Sequence, residues 1–309
     1  MKGKKMNMQP KELYISPAGG SGNIGMSTFL ACPQKAKLYL DGWRRKKVTH
    51  PIGVGILEHK ALFDPRIKED ENRQPEEIFE DLYMKGKVPP YEKIDGTKVK
   101  EIEIDFTDKK GMQINKAQKM KAGKLVANLA NKEVKKMESI GFEQQMCVAI
   151  LDPNSGREVP ELDGFFLCGR KDIQNKDNIT DFKTSQKTLT DDDIMAGPYH
   201  YQLSAYRYMT IIEKRTDFRN LQILNTVMKK EPESKIIKYT GKDEDLLMVY
   251  QTFLWVARQV KEFFRTNYWP RNPASCKQWG ICDFHPICWG EKYSRPDIEI
   301  KDKLYHRGY

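Results

Sequence analysis

Asp172, Asp181 and Lys183 are the residues whose types and spacing could do chemistry in this chain. They fall between Gly169 and Ser185, a stretch that reads as two short strands joined by a polar turn. Leu167 and Ile173 flank the first strand, Gln174 to Asn178 supply turn residues, and Ile179 to Thr184 form the second. Side chains alternate along a strand, so Asp181 and Lys183 share one face while Phe182 points into the opposite layer. Two carboxylates and an ammonium on one face of a hairpin suit a divalent metal with a polarised water beside it. Asp-x-Lys also occurs on solvated strand faces, so the surrounding elements decide between the two readings.

Composition narrows the partner. The chain has 309 residues, 39% of them hydrophobic, and a net charge of +10, which together describe a basic globular protein able to bury a large core. That charge, with an isoelectric point near 9.1, favours a polyanionic partner over a neutral small molecule. No run of 18 apolar residues exists, so no transmembrane helix and no membrane partner are expected. The charged start, Met1 to Met8, has no apolar segment behind it and does not read as a signal peptide. The expected location is the cytoplasm, where the six cysteines suit metal or cluster ligation better than a disulfide framework.

Taken in order, residues 1–26 read as an irregular lead-in containing Gly19 to Gly22. Ser27 reads as the N-cap of a helix to about Lys46, with Cys32-Pro33 in its first turns and the basic run Arg44 to Lys47 ending it. A glycine-bearing helix around Gly53 to Phe63 carries His59, and a lone histidine among apolar neighbours is more often packed than ligating. Residues 64–112 are charged and poorly periodic, with a short helix at 76–85 and no assigned role. A long helix is expected over 113–139, then strands at 142–151 and 159–173 and the strand bearing Asp181. Helices at 191–194 and 199–214, strands at 220–228 and 234–239, and a helix at 243–265 complete the pattern. The expected fold class is mixed α/β, with a central mixed sheet flanked by helices. The expected organisation is one domain over 27–290, with a helical part (27–140), a sheet core (141–240) and a C-terminal helix plus cysteines (241–290), followed by a tail at 291–309.

These pieces resemble the PD-(D/E)XK nuclease superfamily, in particular its RecB-like exonuclease branch of phage and bacterial recombination nucleases and iron–sulfur CRISPR adaptation nucleases. The matching order is His59, Gly169-x-x-Asp172, Asp181-Phe182-Lys183, Gln202-x-x-x-Tyr206 and a C-terminal cysteine group, with Cys32 near the start. The resemblance implies a restriction-endonuclease-like core in which Asp172, Asp181, the Phe182 carbonyl and His59 hold Mg2+ or Mn2+. It implies that Lys183 orients or helps deprotonate the attacking water, and that Gln202 and Tyr206 orient Lys183 and the substrate backbone from one helix face. Tyr201 and Tyr208 read as packing, Glu143 as a strand-edge surface residue rather than an added carboxylate of the site, and Asp163 as a turn former.

Cys276, Cys282 and Cys288 are spaced Cys-x5-Cys-x5-Cys after the last long helix, and the resemblance supplies Cys32 as a fourth ligand. A 4Fe-4S cluster stapling the two ends together is the expectation. The family's best-known members pair a Cys-x2-Cys with a later cysteine, and the departure here leaves Zn2+ open, through the same three cysteines and Cys32 or His285. Cys147 and Cys168 read as buried small hydrophobes. The expected function is a metal-dependent DNA exonuclease of phage or bacterial recombination and repair, acting on single strands or duplex ends. Without a P-loop, unwinding falls to a helicase, and a recombinase or annealing protein is a further candidate partner. The alternatives are a CRISPR-adaptation-type trimming nuclease and a catalytically silent DNA-binding or assembly module.

Overall fold

The computed structural model describes residues 12–17, 24–45, 47–63, 73–92, 98–108, 112–152, 155–195, 198–229, 231–276, 282, 284–289 and 304–305. The strands are β1 (Leu13–Ser16), β2 (Ile24–Gly25), β3 (Arg44–Arg45), β4 (Lys47–Thr49), β5 (Lys87–Val88), β6 (Tyr91–Glu92), β7 (Lys98–Val99) and β8 (Ile102–Asp105). They continue with β9 (Ser139–Ala149), β10 (Phe165–Asn175), β11 (Asn178–Ser185), β12 (Asn220–Val227), β13 (Glu233–Thr240) and β14 (Leu304–Tyr305). The helices are α1 (Met26–Ala31), α2 (Pro33–Leu40), α3 (His50–Phe63), α4 (Pro75–Lys85), α5 (Lys116–Lys136), α6 (Asp191–Met195), α7 (Pro198–Lys214), α8 (Asp243–Thr266) and α9 (His285–Trp289).

The central sheet is mixed, in the order β13-β12-β11-β10-β1-β2, with β9 also on β10. β11 and β12 run parallel, as do β1 with β10 and β1 with β2, while β9–β10, β10–β11 and β12–β13 are antiparallel. Because β9 follows β10 along most of its length, β1 and β11 share the other edge of β10, at Phe165–Leu167 and at Ile173–Gln174. Helices α3 and α5 pack on one side of this sheet and α7, backed by α8, on the other. The largest core cluster joins Ile15, Leu167, Tyr206, Met209, Ile223 and Phe253. On the other side Phe182 packs with Leu62, Phe63, Ala130 and Val134, in the layer opposite Asp181, as the alternation requires. Arg207 is wholly buried, and its guanidinium is satisfied by Asp217, Asp243 and the Lys242 carbonyl, so α7 is anchored to both neighbouring segments.

Several local expectations change. The lead-in contains β1 and β2, so Leu13 and Ile15 are core residues; 1–11 and 18–23 lie outside the described residues. The first helix starts at Met26 and breaks at Cys32, which is extended (φ −162°, ψ 106°). Pro33 causes the break: its ring disfavours helical backbone at the preceding residue, and it then opens α2 as a first helical position. Arg44, Arg45 and Lys47 of the basic run lie beyond α2 in short strands rather than ending a helix. Of 64–112, the parts described are structured: α4, β5 and β8 form a second core with α3 and α5, through Leu57, Phe79, Leu82, Val88, Ile104 and Val126. There Gly123 is required by close approach, since a Cβ would stand 2.3 Å from the Phe79 ring. Segments 64–72, 93–97 and 109–111 and the tail, apart from 304–305, lie outside the described residues. Cys168 is buried as expected, but Cys147, opposite it on β9, is exposed because it alternates with the core residues Met146 and Val148.

His50 begins α3 in that second core, 2% exposed, with its Nε2 2.9 Å from the Tyr83 hydroxyl. Burial, with Lys119 nearby, pushes its pKa down to about 4. Below pH 6.5 the unfolded chain therefore takes up a proton that the folded chain refuses, and stability falls as pH drops toward 4, by about 3 kcal/mol. His50→Phe should flatten the fall in Tm between pH 6.5 and 4; a parallel pH profile for the two proteins would refute this account.

Candidate active site

β10 and β11 pair at Ile173–Thr180 and Gln174–Ile179. Farther along, Asp172 Oδ2 accepts a hydrogen bond from the Phe182 backbone N–H at 2.8 Å, so a side chain takes a position that a main-chain carbonyl would fill. A strand residue's N–H and C=O project to the same edge, which turns the Phe182 carbonyl toward Asp172 as well.

Glu143 makes a corresponding irregularity on β9. It lies between Gln144, opposite Lys171, and Phe142, opposite Ile173, and has φ +50°, a left-handed conformation uncommon outside glycine. Both strands change face here. Gln144 and Lys171 reach α7 through Lys214 and Thr210, whereas Phe142 and Ile173 pack into the cluster beneath α3. The turned carboxylates meet His59 of α3: its Nε2 is 2.8 Å from Asp172 Oδ1 and 3.1 Å from Glu143 Oε1. One ligand atom from each of the three lies within 4.8 Å of the others. Nε2 carries at most one proton, so it satisfies only one of these two oxygens. Nitrogen and carboxylate donors converging in this way fit a divalent cation, Mn2+ being well suited to the imidazole.

Asp181 and Lys183 complete the group from β11, with Nζ 2.6 Å from Asp181 Oδ2. Gln202 Nε2 donates to Asp181 Oδ1 at 3.0 Å and lies 2.8 Å from the Tyr206 hydroxyl. Both α7 residues are buried; Gln202 holds Asp181, and Tyr206 holds Gln202. Tyr208 bonds the Leu151 backbone and Tyr201 packs against the core, as read from sequence. Gly169 faces this helix. A Cβ there would come within 2.8 Å of the Tyr206 ring and 2.6 Å of the Met209 methyl, which accounts for glycine three residues before Asp172.

Charge compensation sets the protonation states. Burial opposes the charged form at every one of these positions. For Asp172 it is outweighed by His59, Lys183 and the Phe182 N–H, and the carboxyl lies below its usual range. For Asp181, burial with the charge of Asp172 prevails over Lys183 and lifts the pKa to about 6. His59 and Lys183 are both raised despite burial, because carboxylates face each of them.

Two residues beside this group were not legible as part of it. Glu143 reads as surface, and the only hint is the polar run Glu143-Gln144-Gln145 interrupting an alternating strand. Glu58 is fully buried; one oxygen accepts from the Thr184 hydroxyl and the other has no hydrogen-bond partner. Burial lifts its pKa to about 8, so a protonated carboxyl ties the neighbours of His59 and Lys183 together.

The cysteine group lies elsewhere. Burial first, then Cys282, Cys32 and Cys276 nearby, push the Cys288 thiol up to about 11. Asn272 and Ser275 both donate to the Ala31 carbonyl, holding the turn before Cys276 against Cys32. Among the described residues no three of these sulfurs lie within 4.8 Å of one another. His285 Nδ1 is buried without a hydrogen-bond partner.

No helix among the described residues is long and apolar enough to cross a membrane. No family model matches the chain. No curated protein matches it in sequence. Among solved structures it is similar to a crystal structure of a candidate exonuclease from Eubacterium rectale, with a TM-score of 0.55 over 98% of both chains. Sequence identity is 15%, so the likeness is one of fold.

Gly169→Ala should cost about 1–3 kcal/mol by overpacking against Tyr206 and Met209, read as a lower Tm. An unchanged Tm would mean that the α7–β10 contact is loose. The mixed central sheet flanked by helices is thus a fold that this chain shares with that protein.

Proposed function

We propose that this protein is a divalent-metal-dependent deoxyribonuclease of the PD-(D/E)XK type that shortens DNA from an end, in recombination or repair. The observation that carries the reading is the convergence of His59, Glu143 and Asp172 beside the Asp181–Lys183 pair. The fold shared with a candidate exonuclease and the net charge of +10 support it.

His59, Asp172, Asp181 and the Phe182 carbonyl would hold Mg2+ or Mn2+, with Glu143 as an added donor; the cation supplies a polarised water and neutralises phosphate charge. Asp181 and Asp172 favour the charged form of Lys183. Its N–H groups orient the attacking water and offset the charge that builds on the phosphate oxygens. Gln202 keeps Asp181 fixed through its amide, and Tyr206 supports that amide. Water oxygen bonds to phosphorus and releases a proton to solvent, the bridging P–O bond breaks, and the leaving oxygen takes a proton from solvent.

Cys32, Cys276, Cys282 and Cys288 would hold the second group. We read this group as a 4Fe-4S cluster, with Zn2+ held by the same cysteines as the alternative.

Protein purified without oxygen should be brown, and Cys282→Ala should bleach it and lower its Tm; a colourless protein with stoichiometric zinc would overturn the cluster. End-labelled single- and double-stranded DNA should be degraded with Mg2+ or Mn2+ and spared with EDTA. Lys183→Ala should reduce the rate at least about 100-fold, a loss typical of removing one transition-state donor. Glu143→Gln should raise the Mn2+ concentration needed for half-maximal rate. Degradation that survives Lys183→Ala would sink the assignment.

A further inference from the structure

A cleft of about 540 Å³ adjoins the site, and His59 and Glu143 form part of its wall. The rest comes largely from the stretch between α3 and β8, to which the sequence gives no role. Lys60 follows His59 on α3, Lys85 closes α4, and Lys87 points outward from β5 while Val88 enters the second core. Phe63, Leu82, Pro89 and Pro90 add apolar surface between these cations. The acidic members of the wall are engaged: Glu101 with Lys87 at 2.7 Å, and Glu143 with Arg170 at 3.1 Å as well as His59. Among the described residues Lys60 and Lys85 have no carboxylate partner.

Three lysines and four apolar side chains on one cleft wall suit a nucleic-acid strand, whose phosphates need cations and whose bases and sugars need apolar cover. A cleft of this size holds a nucleotide or two. We infer that Lys60, Lys85 and Lys87 form a single-strand channel that grips the phosphates of a DNA strand next to His59. The inference rests on the nuclease reading and assigns that site a single-stranded rather than a duplex substrate at the point of cutting. The second core then has a purpose, since it fixes α4 and β5 relative to α3 and so fixes the channel wall relative to the candidate ligands.

The test is fluorescence anisotropy with a fluorescein-labelled single-stranded 20-mer and a blunt duplex, in EDTA over a range of salt. Lys183→Ala is the parent protein, and the wild type in EDTA gives the same readout should that variant fail to fold. Lys85→Glu/Lys87→Glu should weaken single-strand binding about tenfold or more and reduce the salt slope by about 1.4, the contribution of two phosphates. Lys85→Arg/Lys87→Arg should retain binding. Lys261→Glu/Arg265→Glu, on α8 across the sheet, should leave it unchanged. Equal affinity and slope after charge reversal overturn the channel, as does a loss confined to the duplex. Binding needs no metal, so the two readings fail separately. Binding through the channel without any cutting by the wild type counts against the nuclease alone, and cutting that ignores charge reversal counts against the channel alone.

Discussion

The hydrogen bond from the Phe182 N–H to Asp172 is the contact on which the site depends. It marks the place where β10 and β11 stop pairing through their backbones and begin to separate. An unbroken ladder would commit the Phe182 amide and carbonyl to β10 and leave Asp172 on an ordinary strand face. The separation opens a slot between strands that a side-chain oxygen partly closes, and His59, Glu143 and Lys183 gather around that oxygen. β12 makes the opening affordable. It pairs with β11 along its whole length, from Asn178–Asn220 to Ser185–Val227, so β11 remains ordered without its other neighbour.

Bringing Asp172, Asp181, His59 and Lys183 together under cover opposes their charged forms at a cost of several kcal/mol for each fully desolvated ion. Their mutual attraction offsets part of this, but the residues alone leave a carboxylate oxygen of Glu143 without a hydrogen bond and Asp181 with a raised pKa. Groups poised in this way are typical of sites that act on something else, because a hydrophobic replacement of the same shape would make a better core. Glu58 shows the contrast. It is equally buried and close by, yet it faces no cation and lowers its cost by retaining a proton.

How much was legible follows from the range of each interaction. The hairpin of Asp172 and Asp181, and the pairing of Gln202 with Tyr206 at four-residue spacing, depend on local period and were readable. The face change at Glu143 was not, since Phe142, Met146 and Val148 keep the even spacing of an undisturbed strand. β1 was hidden because four residues amid a polar lead-in gain their strand character from Phe165 to Leu167, far along the chain. The break at Cys32 was readable in principle, because proline acts on the residue before it as well as on its own position. Apart from α4, the described parts of the segment after α3 lack periodicity because their strands are two or four residues long, each too short to display one.

The contacts that fasten the first strand and first helix have a consequence for how the molecule assembles. β1 meets β10 across about 150 residues, and Ala31 is held by Asn272 and Ser275, 241 and 244 positions away. The hairpin of β9 and β10, by contrast, forms between neighbours. Loop closure favours the nearer pairs, so the sheet nucleates in its middle, and β1 docks on an edge that already exists. On the ribosome the N-terminal segment leaves first and is fastened last. Until α8 and the turn after it emerge, Phe29 lacks Phe263 and Trp269, the rings that cover it in the finished protein.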